Sequence, residues 1–408
     1  MKKYVIMIQS LSNMGGAQMY IRNKILYLRE HGWEASIIAG RADNIVIPEL
    51  REFKETVPEL IFCNYFFNLK TQRRVLDKLK KYILDKNYQE VYIESASIED
   101  STWAELIAKE IGARHLIFLL QEQNHVNNKL LKDFFVFKYK RHEIAGISNK
   151  SLVAMFRDFY PLEETESYTL PAHCTNVEAD VECELLKEID RSQYNYVVGA
   201  MSRMDKPFVL HAVEDFCNYV SAHPDKRFLF LWIGSAPSGS LMPERIRNMV
   251  GMLSNVELLI TGYMLPVPTK LLEFCDVFIS SAGSSWPCMR SGVPTITYDG
   301  NDFRPIGILG RTTNNSVFRD KDEKPQDLST LLDAILEKME YPKLQANYRS
   351  GIPDFKIHME FLEEMDRTKD YFDIDRIHLE TLSERKMAIG LRLLGPKGYM
   401  RLHSIKKR

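Results

Sequence analysis

The chain has 408 residues, 45% hydrophobic and 27% charged, a balance that excludes wholesale disorder and collagen-like or low-complexity classes. At roughly 150 residues per domain this length predicts two to three domains. Lysine and arginine total 54 against 55 acids, a formal charge of −1, so the chain lacks the global field that suits nucleic acid, and any basic function has to be local.

The first residues, Met1-Lys2-Lys3 followed by Tyr4 to Ile8, begin like a signal peptide. The apolar run stops at Gln9 with no small-residue cleavage site after it, so it reads as a first buried strand. The longest apolar runs, such as Phe228 to Ile233, fall far short of the ~18 residues of a spanning helix. The six cysteines contain no C-x-x-C and no tight Cys/His cluster, which points to free thiols in a cytoplasmic protein without a metal site.

In chain order, short β-rich runs alternate with longer amphipathic stretches, the pattern of a parallel sheet wrapped by helices. Strands are expected at Tyr4 to Ile8, Ala35 to Ala39, Val91 to Glu94, His115 to Leu120 and Glu143 to Ile147. Helices are expected over 18–30, 71–85 and 103–111. Pro171 to Asn176, followed by acids, reads as a linker. The pattern then restarts with strands at Tyr196 to Ala200, Phe228 to Ile233, Val256 to Thr261, Val277 to Ser280 and Thr295 to Tyr298. Helices follow over 210–221, 243–253 and 327–339. The expected architecture is α/β, with two facing Rossmann-like domains over 1–172 and 173–365 and a helical crossover with a basic tail over 366–408. Ligands of such sheets bind beyond the carboxyl ends of the strands, so two facing halves make a cleft for two substrates.

Three stretches carry candidate chemistry. After the first strand, Gly15 and Gly16 open a helix whose unpaired amides suit an anion or a sugar oxygen. At the matching place in the second half, Arg203 and Lys206 suit a diphosphate, one by its fork and the other as a point charge. After Val277 to Ser280, a Gly-Ser-Ser turn puts Ser284 and Ser285 at a helix amino end, where serine is also a common helix cap.

These stretches together resemble the GT-B-type glycosyltransferases, particularly the retaining family-four enzymes. Gly15-Gly16-Ala17-Gln18 is similar to their Gly-Gly-Ala-Glu loop, with Gln in place of Glu. Ser202-Arg203-Met204 with Lys206 is similar to their strand end, with a shorter Arg-to-Lys interval. Phe228 to Gly234, Thr261-Gly262-Tyr263, Cys275 to Phe278 and Gly292-Val293-Pro294 follow in the family's order, so the resemblance covers about residues 1 to 340. It implies an acceptor domain followed by a donor domain that binds a UDP- or GDP-linked sugar as co-substrate, with no other cofactor. The implied donor-site residues are Gly15, Gly16, Arg203, Lys206, Tyr263, Ser284 and Ser285. The family's pair of glutamates has no counterpart, because no acid lies between Asp276 and Asp299. Retaining and inverting chemistry both stay open, and so does a non-catalytic GT-B-like glycan-binding protein or partner subunit.

For proton transfer from an acceptor hydroxyl the candidates are Glu122 and His125, beyond the strand ending at Leu120, with Glu94 and Glu99 next. Two basic regions suit an anionic membrane surface and a lipid-linked acceptor. Lys129 to His142 interleaves cations with Phe134, Phe135 and Phe137, a pattern that equally fits core packing. Residues 385–408 carry eight cations and no acid.

Overall fold

A computed structural model describes every residue except 53, 122–123, 164–165, 350, 366–367 and 406–408, and the side chains of all the rest except 150, 166 and 403–405. The chain divides into two compact units, Met1–His173 with Ile352–Arg408, and Cys174–Gly351.

The first unit runs β1 (Lys2–Ser10), α1 (Gly16–Glu30), β2 (Glu34–Arg41), β3 (Lys54–Thr56), α2 (Leu69–Ile83), β4 (Glu90–Ser95), α3 (Ile98–Ile111), β5 (Arg114–Leu119), α4 (Lys129–Lys140), β6 (Ile144–Gly146) and α5 (Asn149–Phe156). Its sheet has the order β3-β2-β1-β4-β5-β6 with every pair parallel. Tyr4, Val5, Ile6 and Met7 are all fully buried, as a central parallel strand covered on both faces requires. Local chemistry sets the helix ends. Ser97 and Asp100 form a capping box at the start of α3, and Gly112, in the left-handed region at φ +67°, ends it.

The second unit runs β7 (Glu178–Ala179), α6 (Glu184–Glu188), β8 (Tyr196–Met201), α7 (Phe208–Ala222), β9 (Phe228–Ile233), α8 (Met242–Val250), β10 (Val256–Ile260), β11 (Val267–Pro268), α9 (Thr269–Phe274), β12 (Val277–Ser280), α10 (Ser285–Arg290), β13 (Thr295–Tyr298), β14 (Pro305–Ile308) and α11 (Leu328–Leu332). The sheet order β10-β9-β8-β12-β13-β14 repeats that of the first unit. β14 is antiparallel to β13, and β7 pairs with β11 outside the sheet.

The chain then returns to the first unit with α12 (Lys356–Glu364) and α13 (Leu382–Ile405). The second unit therefore ends at residue 351, not 365. Buried His358 fixes α12, its Nε2 facing the Pro171 carbonyl at 2.9 Å and its Nδ1 facing Lys24 Nζ at 3.2 Å. Burial, with Lys24 second, holds its pKa at about 2, so a neutral ring donates to the carbonyl and accepts from the ammonium.

The membrane reading of residues 129–142 is corrected. Phe134 and Phe135 are fully buried, and Phe137 meets Phe372 edge to face with ring centres 5.7 Å apart. Lys138 is buried between Glu105 (3.0 Å) and Glu143 (2.7 Å). Phe134 and Phe135 are core, Phe137 is half-buried, and Lys138 is internally paired. No helix among the described residues is long and apolar enough to cross a membrane.

Candidate functional site

In each sheet the strand order reverses beside the unit's first long strand, and the carboxyl ends on either side of that point form the usual ligand crevice of open α/β sheets. The second unit places it between the ends of β8 and β12. β8 leads into Ser202-Arg203-Met204-Asp205-Lys206. The turn is fixed by its neighbours: Met204 N–H donates to the Ser235 carbonyl at 3.0 Å, and Trp232 Nε1 to the Ser202 carbonyl at 3.1 Å. Gly234, at φ +144°, passes so close that a Cβ there would lie 2.2 Å from the Ser202 carbonyl oxygen. Only glycine fits both that conformation and that gap.

The two cations of this turn differ. Arg203 donates Nε and Nη2 to the two carboxylate oxygens of Asp205, each at 3.0 Å, so its fork is already occupied. Asp205 was not among the residues expected to matter, although its spacing of two from Arg203 is visible in the sequence. Lys206 is exposed by surface area and forms no salt bridge among the described residues. Its pKa is lowered by loss of solvent around the ammonium and then by the neighbouring Arg203. Asp205 lies within its field but makes no salt bridge to it.

Tyr263 follows β10. Its hydroxyl is buried with no hydrogen-bond partner among the described residues, and burial raises its pKa while nearby Arg203 opposes and Asp205 reinforces that rise. An orphaned buried hydroxyl is costly unless something satisfies it.

The serine turn after β12 departs from expectation. Ser284 Oγ donates to the Ser281 carbonyl at 3.1 Å and Ser285 Oγ to the Ala282 carbonyl at 2.6 Å, and Ser285 is fully buried. The Ser285 hydroxyl is spent on closing the turn and offers nothing to a ligand. Ser284 retains partial exposure. Ala282, at φ +56°, carries the strain of this turn.

In the first unit the crevice lies between the ends of β1 and β4. Gly15 caps α1 in extended backbone, and Gly16 is exposed. Gln9, at the end of β1, donates Nε2 to Ser97 Oγ at 3.0 Å and to the Glu99 carboxylate. Glu99 is half-buried at the first turn of α3, beside the crevice. His125 is exposed on the loop after β5, close to buried Asn124 and Val126. Glu122 lies outside the described residues.

Glu94 is corrected. It is fully buried within β4, accepts from Tyr4 Oη at 2.6 Å and Tyr20 Oη at 2.7 Å, and is paired with Lys24. Fully enclosed and held by three donors, it is out of reach of a substrate hydroxyl. Gln9 escaped the sequence reading; the signal for it was a polar residue ending an otherwise apolar strand.

No protein-family model matches the sequence, and no curated protein matches it either. Solved structures do match in fold. A glycosyltransferase from Rickettsia africae is 14% identical with a TM-score of 0.56, covering 100% of this chain and 98% of its own. The apo structure of OtsA is 10% identical with a TM-score of 0.52, covering 95% and 98%. A structure described as trehalose-6-phosphate from E. coli, bound with UDP-2-fluoro glucose, is 10% identical with a TM-score of 0.51, covering 82% and 91%. With its two Rossmann-like units, the chain has a fold of the GT-B type.

Proposed function

We propose that this protein is a glycosyltransferase. On this reading the second unit holds a UDP- or GDP-linked sugar, and the first holds a glycan or lipid-linked acceptor for polysaccharide or cell-envelope glycan synthesis on a cytoplasmic membrane face. The observation that carries it is Lys206, an exposed ammonium without an acid partner at the carboxyl end of β8. A leaving diphosphate is stabilised by charges and donors already in place before reaction, and Lys206 with the unpartnered Tyr263 hydroxyl supplies them. Arg203 reinforces the positive edge once Asp205 shares it, so the diphosphate charge is met by side chains with no metal required. The fold supports the same reading, since one similar structure is described as a glycosyltransferase and another is bound with UDP-2-fluoro glucose. Glu99, His125 and Glu122 are the candidates to take the acceptor hydroxyl's proton.

One sequence feature favours a second reading. The absence of any acid between Asp276 and Asp299 fits a non-catalytic GT-B-like glycan-binding protein or a partner subunit of an active transferase. The test is a panel of nucleotide sugars read by calorimetry for binding and by released nucleoside diphosphate for turnover. Binding with release supports the transferase, and binding without release supports the second reading. Failure of every nucleoside diphosphate to bind overturns the donor site.

A further inference from the structure

We propose that the outward face of α13, together with Leu69 at the start of α2, is a docking surface for an anionic lipid bilayer. α13 breaks at Gly395 (φ +67°, ψ 170°), just before Pro396. Ahead of the break it carries two apolar stripes. Ala388 and Leu391, 1% and 2% exposed, pack into the core of the first unit. Leu382, Ile389 and Leu393, seven and four residues apart, are 68%, 57% and 79% exposed, and at 100° per residue they share the opposite side of the helix. Lys386 falls within that outward stripe, and Arg385 and Arg392 flank one edge of it; all three are exposed.

The neighbouring surface continues the pattern. Leu69 is 78% exposed, and it shares with Arg392 a cavity of about 280 Å³ that is also lined by Tyr65, Gln72 and one exposed acid, Asp375. Beyond the break Lys397 and Arg401 are exposed too. No acid follows Glu384 in the chain.

Charge decides the occupant. Apolar side chains bordered by cations complement acyl chains beneath anionic headgroups. A second copy docking the same face on itself would set cation against cation. The inference stands apart from the donor chemistry, because vesicle binding needs no nucleotide.

The experiment is flotation of the full chain with vesicles of phosphatidylcholine alone and of phosphatidylcholine mixed with phosphatidylglycerol. Binding is expected on the anionic vesicles and to weaken with salt. Lys386→Glu with Lys397→Glu should cut partition by roughly 25-fold or more, at about fivefold per cation. Ile389→Ser with Leu393→Ser should cut it by more than roughly tenfold. These side chains point outward, so both variants should keep the parent's thermal melt and nucleotide affinity, which read the fold and the donor site separately. Equal flotation on neutral and anionic vesicles, no flotation of the parent, or flotation unchanged in both variants overturns the proposal. So does a parent that elutes as a dimer while the Ile389→Ser/Leu393→Ser variant elutes as a monomer, which makes the occupant a second copy.

Discussion

Replacing Lys206 with methionine removes a charge that forms no salt bridge among the described residues, while keeping an apolar stem of similar length. A hydrogen bond to a charged group is worth about 1.5 to 3 kcal/mol. At about 1.4 kcal/mol per tenfold, nucleoside-diphosphate affinity should fall roughly 12- to 140-fold. Arg203→Ala should also weaken binding, by roughly 12- to 140-fold over the same energy range, but for a mixed reason, since it uncovers the Asp205 carboxylate that the guanidinium now holds at 3.0 Å. Removing Asp205 as well, in Arg203→Ala/Asp205→Ala, should recover part of that loss, and the recovered part measures the repulsion. The lowered pKa of Lys206 adds a pH signature. A bound anion favours the charged ammonium, so affinity should fall as pH rises through the lowered value, with proton uptake on binding in that window. Calorimetry with UDP and GDP, in buffers of different ionisation enthalpy, reads all of this. If folded Lys206→Met binds both nucleotides like the parent and takes up the same protons, Lys206 is not in the donor site.

Glu99→Gln, His125→Ala and Glu122→Gln test proton transfer: the residue that acts as base should lose about a hundred- to ten-thousand-fold in turnover with donor affinity intact, and three fully active variants would remove the chemistry from this edge. Gly234→Ala forces a Cβ to within 2.2 Å of the Ser202 carbonyl at φ +144°, and should cost about 2 kcal/mol or more in denaturant unfolding; unchanged stability would contradict that close approach. Lys138→Met strands the Glu105 carboxylate in the core and should cost about 3–5 kcal/mol, most of it recovered by adding Glu105→Gln, as urea midpoints would show. His115 sits at about 4 against an ordinary 6.5, chiefly through burial, so the unfolded chain takes its proton first and stability falls as pH drops from about 6.5 towards 4. Glu105 is also desolvated, but Lys138 and His115 hold it at about 2 against 4.5, so its share is lost as pH drops from about 4.5 towards 2; His115→Gln should flatten only the upper part of that acid titration.

The strands that carry the fold were legible because a parallel strand covered on both faces leaves an unbroken apolar run, as in Tyr4 to Met7 and Phe228 to Ile233. The short edge β3, with only three residues, and the antiparallel β14 leave no such run and were not anticipated. Partners distant in sequence were hidden as well. Lys138 looked like surface charge until Glu105, 33 residues earlier, was seen to face it. α12 was not among the expected helices, and the first unit holds it through His358, which meets Lys24 and Pro171, and through Phe361, which stacks on His142. Glu94 was expected at a strand end, and β4 instead continues to Ser95, which keeps the carboxylate inside, under two tyrosine hydroxyls.

The charges of this protein sort themselves by whether the fold supplies their counterpart. Lys24 and Lys138 are completely enclosed, and each faces a carboxylate. Enclosure costs an ion several kcal/mol, and a well-placed partner offsets it, so these lysines hold the first unit together without needing anything from outside. Arg203 belongs with them in kind, since Asp205 closes its fork. Lys206 is exposed, its pKa is lowered although the Asp205 carboxylate opposes the shift, and it forms no salt bridge among the described residues. Within the field of Arg203 and Asp205 the Tyr263 hydroxyl is buried with no hydrogen-bond partner among the described residues. A cation without a salt bridge beyond β8 and an unmet hydroxyl beyond β10 are what remains when the natural counter-group is a ligand. The basic pair that looks uniform in the sequence therefore divides into a turn-holding arginine and an anion-seeking lysine, and Lys206, not Arg203, is the residue on which the donor site should most directly depend.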